Sequence, residues 1–186
     1  ADFLGFIVEA ESSRRLSIEA ADALIQDVKT NTVAVTVDPD DRLIYKILLA
    51  GFTHIQLHGN EGLSRTAQIA AQTDLKVIKA VPVATDDEVK QAPEFSGAAD
   101  LLLFDAKPPK QSDQRGGHGV QFDWSILHHA PLPKSFILAG GLTPANVRRA
   151  VTETRAPIVD VASGVEAAPG IKDAALINAF MESLRG

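Results

Sequence analysis

The apolar run Leu101-Leu102-Leu103-Phe104-Asp105 ends in a carboxylate, and the glycine-rich segment Arg115-Gly116-Gly117-His118-Gly119 follows it, before Phe122-Asp123-Trp124. A short apolar run bounded by turn residues is typical of a buried strand. Because side chains alternate along a strand, Asp105 lies on the same face as Leu103. We expect Asp105 at the tip of a buried strand, where it either carries chemistry or only begins a turn.

Apolar runs and helical patterns alternate along the chain, which is typical of repeated βα units around a parallel sheet. We expect one domain over residues 1–186 with an α/β fold, because no composition shift marks a second domain. Eight βα units would close a (β/α)₈ TIM-type barrel, and the pattern is one unit short of it; an open doubly wound sheet is the alternative. The predicted strands cover residues 3–8, 32–37, 54–57, 76–81, 101–105, 135–139 and 157–161, and the predicted helices cover 17–29, 41–50, 62–72, 86–91, 123–129, a stretch from 143, and 172–184.

The composition excludes several classes of function. The chain has 186 residues, no cysteine, 45% hydrophobic residues and a formal net charge of -6. An acidic chain without a clustered basic surface argues against nucleic-acid binding, and no apolar run is long enough to cross a membrane. The lack of cysteine excludes disulfides, thiolate metal sites and a cysteine nucleophile. No signal peptide is visible, so the expected location is cytoplasmic.

Two glycine-containing loops follow the last two predicted strands. Gly140-Gly141 comes after one of these strands, and Ser163-Gly164 comes after the other. Either loop alone is ordinary turn chemistry. Backbone N–H groups in such turns bind phosphate, however, and barrels frequently build their phosphate site from the loops after the last two strands. The pair therefore predicts a phosphate site. After the first loop, Thr143 is expected to cap a helix with Pro144 in its first turn.

Four further polar residues lie in or after other predicted strands. Arg14 follows the first strand, where it either pairs with a substrate carboxylate or is solvated. His58 ends the third strand and is either a donor to a substrate or an ordinary strand-end histidine. Lys79 interrupts an apolar strand and either points into the site or snorkels to the edge. Asp160 also interrupts an apolar strand, so it needs a partner or a hydrogen bond to a substrate. The other histidines and carboxylates have no metal-ligand spacing.

These motifs, in their order and spacing, resemble the phosphoribosylanthranilate isomerase family of tryptophan biosynthesis, and the resemblance covers the whole chain. It implies a (β/α)₈ barrel that acts on a phosphosugar without a metal or an organic cofactor. The implied reaction is the Amadori rearrangement of N-(5-phosphoribosyl)anthranilate to 1-(2-carboxyphenylamino)-1-deoxyribulose 5-phosphate. The motifs are Gln56-Leu57-His58-Gly59, Leu103-Phe104-Asp105 with Gly116-Gly117-His118-Gly119 and Phe122-Asp123-Trp124, Leu138-Ala139-Gly140-Gly141-Leu142-Thr143-Pro144-Ala145-Asn146-Val147, and Val159-Asp160-Val161-Ala162-Ser163-Gly164-Val165-Glu166 with Pro169-Gly170 and Lys172-Asp173.

The same resemblance implies a role for each candidate residue. Asp105 matches the general acid that protonates the furanose ring oxygen, a role that requires it to hold a proton near neutral pH. Arg14 matches the arginine that binds the anthranilate carboxylate. The pocket-lining positions are His58 and Asp160, and the phosphate-binding positions are Gly140, Gly141, Ser163 and Gly164.

The chain departs from the family pattern at two places. Family members begin with a strand of the type Lys-Ile-Cys-Gly, whose cysteine removes the sugar C2 proton, and this sequence starts after that strand-helix unit. We expect the absent unit to account for seven units instead of eight and to leave two strand edges exposed, which predicts that the chain forms a homodimer or rearranges its N-terminal strand. His118 stands where the family usually has Ser or Thr.

Two other functions stay open at this stage. One is a catalytically impaired relative that binds the phosphosugar but lacks the family's cysteine base. The other is a different phosphosugar barrel enzyme, such as indole-glycerol-phosphate synthase. That chemistry uses lysines at several inner strand ends, and only Lys79 is a candidate for such a position.

Overall fold

The structure is a computed structural model that describes residues 1–83, 85–106, 123–129 and 131–185. Strands and helices alternate along most of these residues. The strands are β1 (Phe3–Ile7), β2 (Asn31–Thr36), β3 (His54–Leu57), β4 (Lys76–Val83), β5 (Leu101–Ala106), β6 (Phe136–Leu138), β7 (Ile158–Val159), β8 (Glu166–Ala168) and β9 (Ile171–Lys172). The helices are α1 (Ile18–Ile25), α2 (Asp41–Ala50), α3 (Leu63–Gln72), α4 (Asp86–Gln91), α5 (Val147–Thr154) and α6 (Ala174–Arg185).

Strands β1 to β7 form one sheet in sequence order. The pairing is parallel, as between Ala34 and Ile55 on β2 and β3 and between Leu103 and Ile137 on β5 and β6. Parallel neighbours need a crossover connection, which explains the segment between each pair of strands. A doubly wound sheet would reverse its strand order at one point. The order is unbroken, so the predicted barrel-type α/β fold is confirmed and the doubly wound alternative is wrong.

Residue contacts divide the chain into two compact units, of which the first comprises Ala1–Ala80 and Glu94–Leu101. Its helices begin where the sequence supplies a cap. The Ser17 side chain accepts a hydrogen bond from the Ala20 N–H before α1, and the Asp40 side chain accepts one from the Leu43 N–H before α2. The inner faces of these elements form one apolar core. Its fully buried members include Val8, Ala21, Ala34, Ile47, Ile55, Leu57, Ile69 and Val77.

The second unit comprises Val81–Pro93 and the described residues from Leu102 onward. Its core contains β5 and β6, where the rings of Phe104 and Phe136 meet edge to face at 5.6 Å. Trp124 is buried in the same unit under the guanidinium of Arg149, which lies 5.1 Å from the indole centroid. Such a cation–π contact contributes about 0.5–2 kcal/mol. None of the helices formed by the described residues combines the length and apolar character needed to cross a membrane.

Most predicted elements are confirmed. In the first unit, α1 ends at Ile25 and not at residue 29 as predicted, and the larger differences lie in the second unit. Residues 124–129 form a 3₁₀ helix instead of an α-helix, and the strand predicted at 157–161 has only two residues. Thr143 does not cap α5, because that helix begins later, after Asn146. Beyond β7, a 3₁₀ turn at Ser163–Val165 and the antiparallel pair β8–β9 were not predicted. The predicted glycine-rich loop with His118 lies outside the described residues.

Candidate active site

In the second unit, backbone pairing continues past the strand ends and aligns three candidate residues. The Ala139 N–H donates to the Phe104 carbonyl at 2.8 Å, and the Asp160 N–H donates to the Leu138 carbonyl at 2.9 Å. Asp105 therefore lies at the same sheet edge as the start of the Gly140 loop and as Asp160. Asp105 is half-buried, as a strand-tip acid would be, whereas Asp160 is exposed and lies just after β7. The prediction that Asp160 interrupts an apolar strand is therefore wrong, because Asp160 lies just after the end of β7.

The loop after β6 has a backbone shape that glycine makes possible. Gly140 and Gly141 have φ angles of 89° and 64°, which side-chain-bearing residues rarely adopt. Asn146 fixes this loop, since its side-chain oxygen accepts from the Thr143 N–H at 2.8 Å and its amide nitrogen donates to the Gly141 carbonyl at 2.9 Å. Asn146 was missed as a site-shaping residue. Its position just before the helical pattern of α5 could have identified it from the sequence, because Asn is a common helix cap.

The loops after β6 and β7 touch each other at Gly164. A Cβ atom at this position would overlap the carbonyl oxygen of Leu142, so the close approach requires glycine. The loop after β7 is also fixed by Lys172 on β9. The Lys172 ammonium donates to the Ala162 carbonyl at 2.7 Å and to the buried Glu166 carboxylate at 2.9 Å. The two predicted phosphate loops, which contain Gly140, Gly141, Ser163 and Gly164, are therefore adjacent.

In the first unit, Arg14 lies in a tight turn between β1 and α1. Its N–H donates to the Ser12 hydroxyl at 3.1 Å, and its side chain is half-buried. The turn closes against the strand, because the Leu16 N–H donates to the Ile7 carbonyl at 2.8 Å. Arg14 is thus held just beyond the carboxyl end of β1, where sequence analysis placed it.

His58 is the first residue after β3, and both its backbone and its ring are engaged. Its N–H donates to the Thr36 carbonyl at 2.9 Å, and Nδ1 lies 2.9 Å from the amide nitrogen of buried Gln56. With that amide as the donor, the ring proton is on Nε2, so the imidazole can donate a hydrogen bond from Nε2. His58 therefore lies at the carboxyl end of β3, with its Nδ1 bound by the Gln56 amide.

Lys79 does not snorkel to the edge, which was one of the two positions that the sequence left open. Its ammonium is buried and lies 2.8 Å from the carboxylate of Glu61, which is also buried. Glu61 was missed in the sequence. The available signal was a carboxylate just after the end of β3, beside a strand interrupted by a lysine.

The resolved pKa shifts lie away from these strand ends. Burial lowers the pKa of His54 by disfavouring the imidazolium, Asp100 opposes this shift, and Lys76 adds to it. His54 is the first residue of β3, at the end opposite His58. The Ser125 N–H and hydroxyl lower the pKa of the exposed Asp123 carboxyl. Among the described residues, no group of three acidic or histidine side chains could hold a metal ion.

Comparison with known proteins gives a consistent result over the whole chain. The family model described as N-(5'phosphoribosyl)anthranilate (PRA) isomerase matches residues 1–183. A curated N-(5'-phosphoribosyl)anthranilate isomerase from Caulobacter sp. (strain K31) is 45% identical over 189 aligned residues, which cover 100% of this chain and 89% of the relative.

Solved structures agree with the sequence comparison. The chain matches monomers generated from the dimeric phosphoribosylanthranilate isomerase of Thermotoga maritima, with a TM-score of 0.84, 30% identity and coverage of 100% of this chain and 88% of the other. It also matches a phosphoribosylanthranilate isomerase in complex with reduced 1-(o-carboxyphenylamino)-1-deoxyribulose 5-phosphate, with a TM-score of 0.83, 30% identity and coverage of 100% and 88%. These matches extend over the full set of candidate residues.

We predict that Gly164→Ala destabilises the protein by about 1–3 kcal/mol, because the new methyl group overlaps the backbone of Leu142. Chemical denaturation measures the loss. Gly5→Ala on β1 is the matched control. Its Cβ would make only ordinary contact with Val35 at 3.6 Å, so no comparable loss is expected. Equal stability of Gly164→Ala and the parent would contradict the close approach of the two loops.

Proposed function

Because this chain belongs to the N-(5'-phosphoribosyl)anthranilate isomerase family, we propose that Asp105 is its general acid and that the loops after β6 and β7 bind the substrate phosphate. The activity is the isomerisation of N-(5'-phosphoribosyl)anthranilate in tryptophan biosynthesis. One observation carries this conclusion, the family match over residues 1–183. It does not favour the alternatives of an impaired binding protein or of another phosphosugar enzyme.

The role of Asp105 follows from the reaction and from its place on β5. Ring opening breaks the bond between the sugar C1 and the ring oxygen, and that oxygen needs a proton as it leaves. The substrate nitrogen stabilises the electron-poor C1. A base, which in the family is the cysteine of the N-terminal strand, then takes the C2 proton and gives an enol-amine, which becomes the ketone. Asp105 is held on a paired strand, so a proton on its carboxyl group would have a fixed position. Its half-buried place supports this assignment.

The phosphate is assigned to the two touching loops. Gly140 and Gly141 have backbone angles that favour glycine, Gly164 lets the second loop lie against the first, and N–H groups in such turns bind phosphate oxygens. Ser163 adds a hydroxyl donor beside Gly164. Because hydrogen bonds from Asn146 and Lys172 already fix these loops, the phosphate would bind to preorganised backbone.

The remaining candidates are assigned to the other groups of the substrate. Arg14 is assigned to the anthranilate carboxylate, because a guanidinium binds a carboxylate through two parallel hydrogen bonds. His58 is assigned as a donor through Nε2, which its contact with Gln56 supports. Asp160, exposed at the end of β7, is assigned to a substrate hydroxyl.

We further propose that the protein forms a homodimer through strand edges. In the sheet that the described residues form, β1 and β7 each have a single neighbour, and Leu4 on β1 is 39% exposed. Such edges favour pairing with another chain. Light scattering at micromolar concentration is expected to give twice the chain mass of 19.8 kDa. A monodisperse monomer would contradict the proposal.

We predict that Asp105→Asn lowers kcat by about 10²–10⁴-fold, because the amide cannot supply the proton for ring opening. Steady-state conversion of N-(5'-phosphoribosyl)anthranilate measures the effect. Asp173→Asn is the matched control, since Asp173 caps α6 and Asn caps equally well. Rescue of a tryptophan auxotroph by Asp105→Asn at the parent's level would refute the assignment.

We predict that Arg14→Lys raises KM by about 10-fold or more, because an ammonium cannot make the paired hydrogen bonds of a guanidinium. Lysine keeps the backbone N–H that donates to the Ser12 hydroxyl, so this hydrogen bond of the turn is retained. Arg15→Lys is the control at the neighbouring, more exposed position, where the partner is Glu9 at 3.9 Å. An unchanged KM in Arg14→Lys would remove Arg14 from the substrate site.

A further inference from the structure

A buried ion pair lies at the carboxyl ends of β3 and β4. Lys79 directly opposes Leu57 in the sheet register, and its ammonium reaches past that strand. It donates to the Leu57 carbonyl at 3.2 Å, to the Gly59 carbonyl at 3.1 Å and to the Glu61 carboxylate at 2.8 Å. An ammonium group has three N–H donors, so these three acceptors account for all of them.

Glu61 completes the same network from the other side. Its carboxylate accepts from the Asp38 N–H at 2.7 Å and from the Gly59 N–H at 3.0 Å. The Asp38 carboxylate in turn accepts from the Asn60 N–H at 2.8 Å. Asp38 has a φ angle of 46°, and a Cβ at Gly59 would clash with it, so the two turns fit closely. The backbone groups on either side of His58 are thus bound to the ion pair or its neighbours.

Stability alone gives a poor reason for this arrangement. The side chains of Lys79 and Glu61 are only 5% and 2% exposed, and the cost of removing two charges from water offsets much of their attraction. Apolar residues of similar size would often stabilise such a site equally well. What they could not do is bind the Gly59 N–H and the Gly59 carbonyl at the same time. The pair therefore specifies the shape of the turn that carries His58.

We propose that Lys79 and Glu61 are positioning residues for the isomerase reaction, which act by fixing the turn at residues 57–60 and hence the ring of His58. This inference rests on the proposed function, in which His58 contacts the substrate. Lys79 and Glu61 themselves do not transfer a proton, because their polar atoms are occupied by the turn.

The test is a double-mutant cycle between Lys79→Met and His58→Ala, read as kcat/KM and as melting temperature. Displacement of a positioned group by about 1 Å costs about 10²-fold in rate. Lys79→Met is expected to lower kcat/KM by about this factor in the parent, and by no more than about twofold when His58 is already alanine. The melting temperature is expected to fall equally in both backgrounds.

A second variant keeps the test informative if Lys79→Met does not fold. In Lys79→Met combined with Glu61→Gln, the amide oxygen still accepts from the Asp38 and Gly59 N–H groups, while the hydrogen bond to the Gly59 carbonyl is lost. It should show the same dependence on His58. Lys76→Met is the matched control, since Lys76 lies on the same strand and pairs with Asp100 at 3.1 Å on the surface. Its kcat/KM is expected to stay within about twofold of the parent.

The outcomes separate this inference from the proposed function. If His58→Ala leaves kcat/KM unchanged, the proposed role of His58 is wrong. If His58→Ala lowers kcat/KM but the Lys79 and Glu61 variants lower it by the same factor in both backgrounds, the positioning role alone is wrong. A loss of kcat/KM that depends on His58, with a fall in melting temperature that does not, supports the proposal.

Discussion

Backbone hydrogen bonds that continue one residue past the parallel strands fix the positions of the candidate residues. The His58 N–H binds the Thr36 carbonyl, and the Asp160 N–H binds the Leu138 carbonyl. Each bond extends the sheet into a loop, so the first loop residue has nearly the rigidity of a strand. In parallel α/β sheets and barrels, binding sites lie at the carboxyl ends of the strands. The chemistry of this chain therefore depends on strand pairing before it depends on any side chain.

In each unit, a lysine–glutamate pair binds a backbone carbonyl in a loop that follows a strand. Lys79 with Glu61 binds the Gly59 carbonyl, and Lys172 with Glu166 binds the Ala162 carbonyl. In both pairs the carboxylate is buried, in contrast to surface pairs that contribute little. A loop carbonyl that faces the protein and has no hydrogen-bond donor lowers the stability of the fold by about several tenths to a few kcal/mol. A lysine that also pairs with a carboxylate supplies that donor and holds it in one place.

The sequence predicted what depends on local pattern and missed what depends on contacts between distant residues. The strand at 54–57 and the cap at Ser17 are confirmed, because alternation and capping are properties of neighbouring residues. The start of α5 was wrong, since the Asn146 side chain ties the preceding segment to Gly141. The candidate residues could be found at strand ends by their chemical types. Their supports could not, because the partner of Lys79 is 18 residues away in sequence and is identified only by the fold.

In the second unit, the proposed acid and the proposed phosphate site rest on different kinds of structure. Asp105 lies within a strand whose register with β6 is set by Leu103 opposite Ile137. A slip of one residue would turn its carboxyl group to the other face, so the apolar pairing of the sheet also orients the acid. The glycine loops depend instead on backbone shape, which comes from the contact between Gly164 and the Leu142 backbone and from the hydrogen bonds of Asn146. Both parts are anchored to β6, through Phe104 and Ala139 for the acid and through Leu138 and Asp160 for the loop after β7. The spacing between Asp105, the proposed proton donor, and the proposed phosphate loops is therefore a property of the backbone, and substitutions that keep this backbone should leave the spacing unchanged.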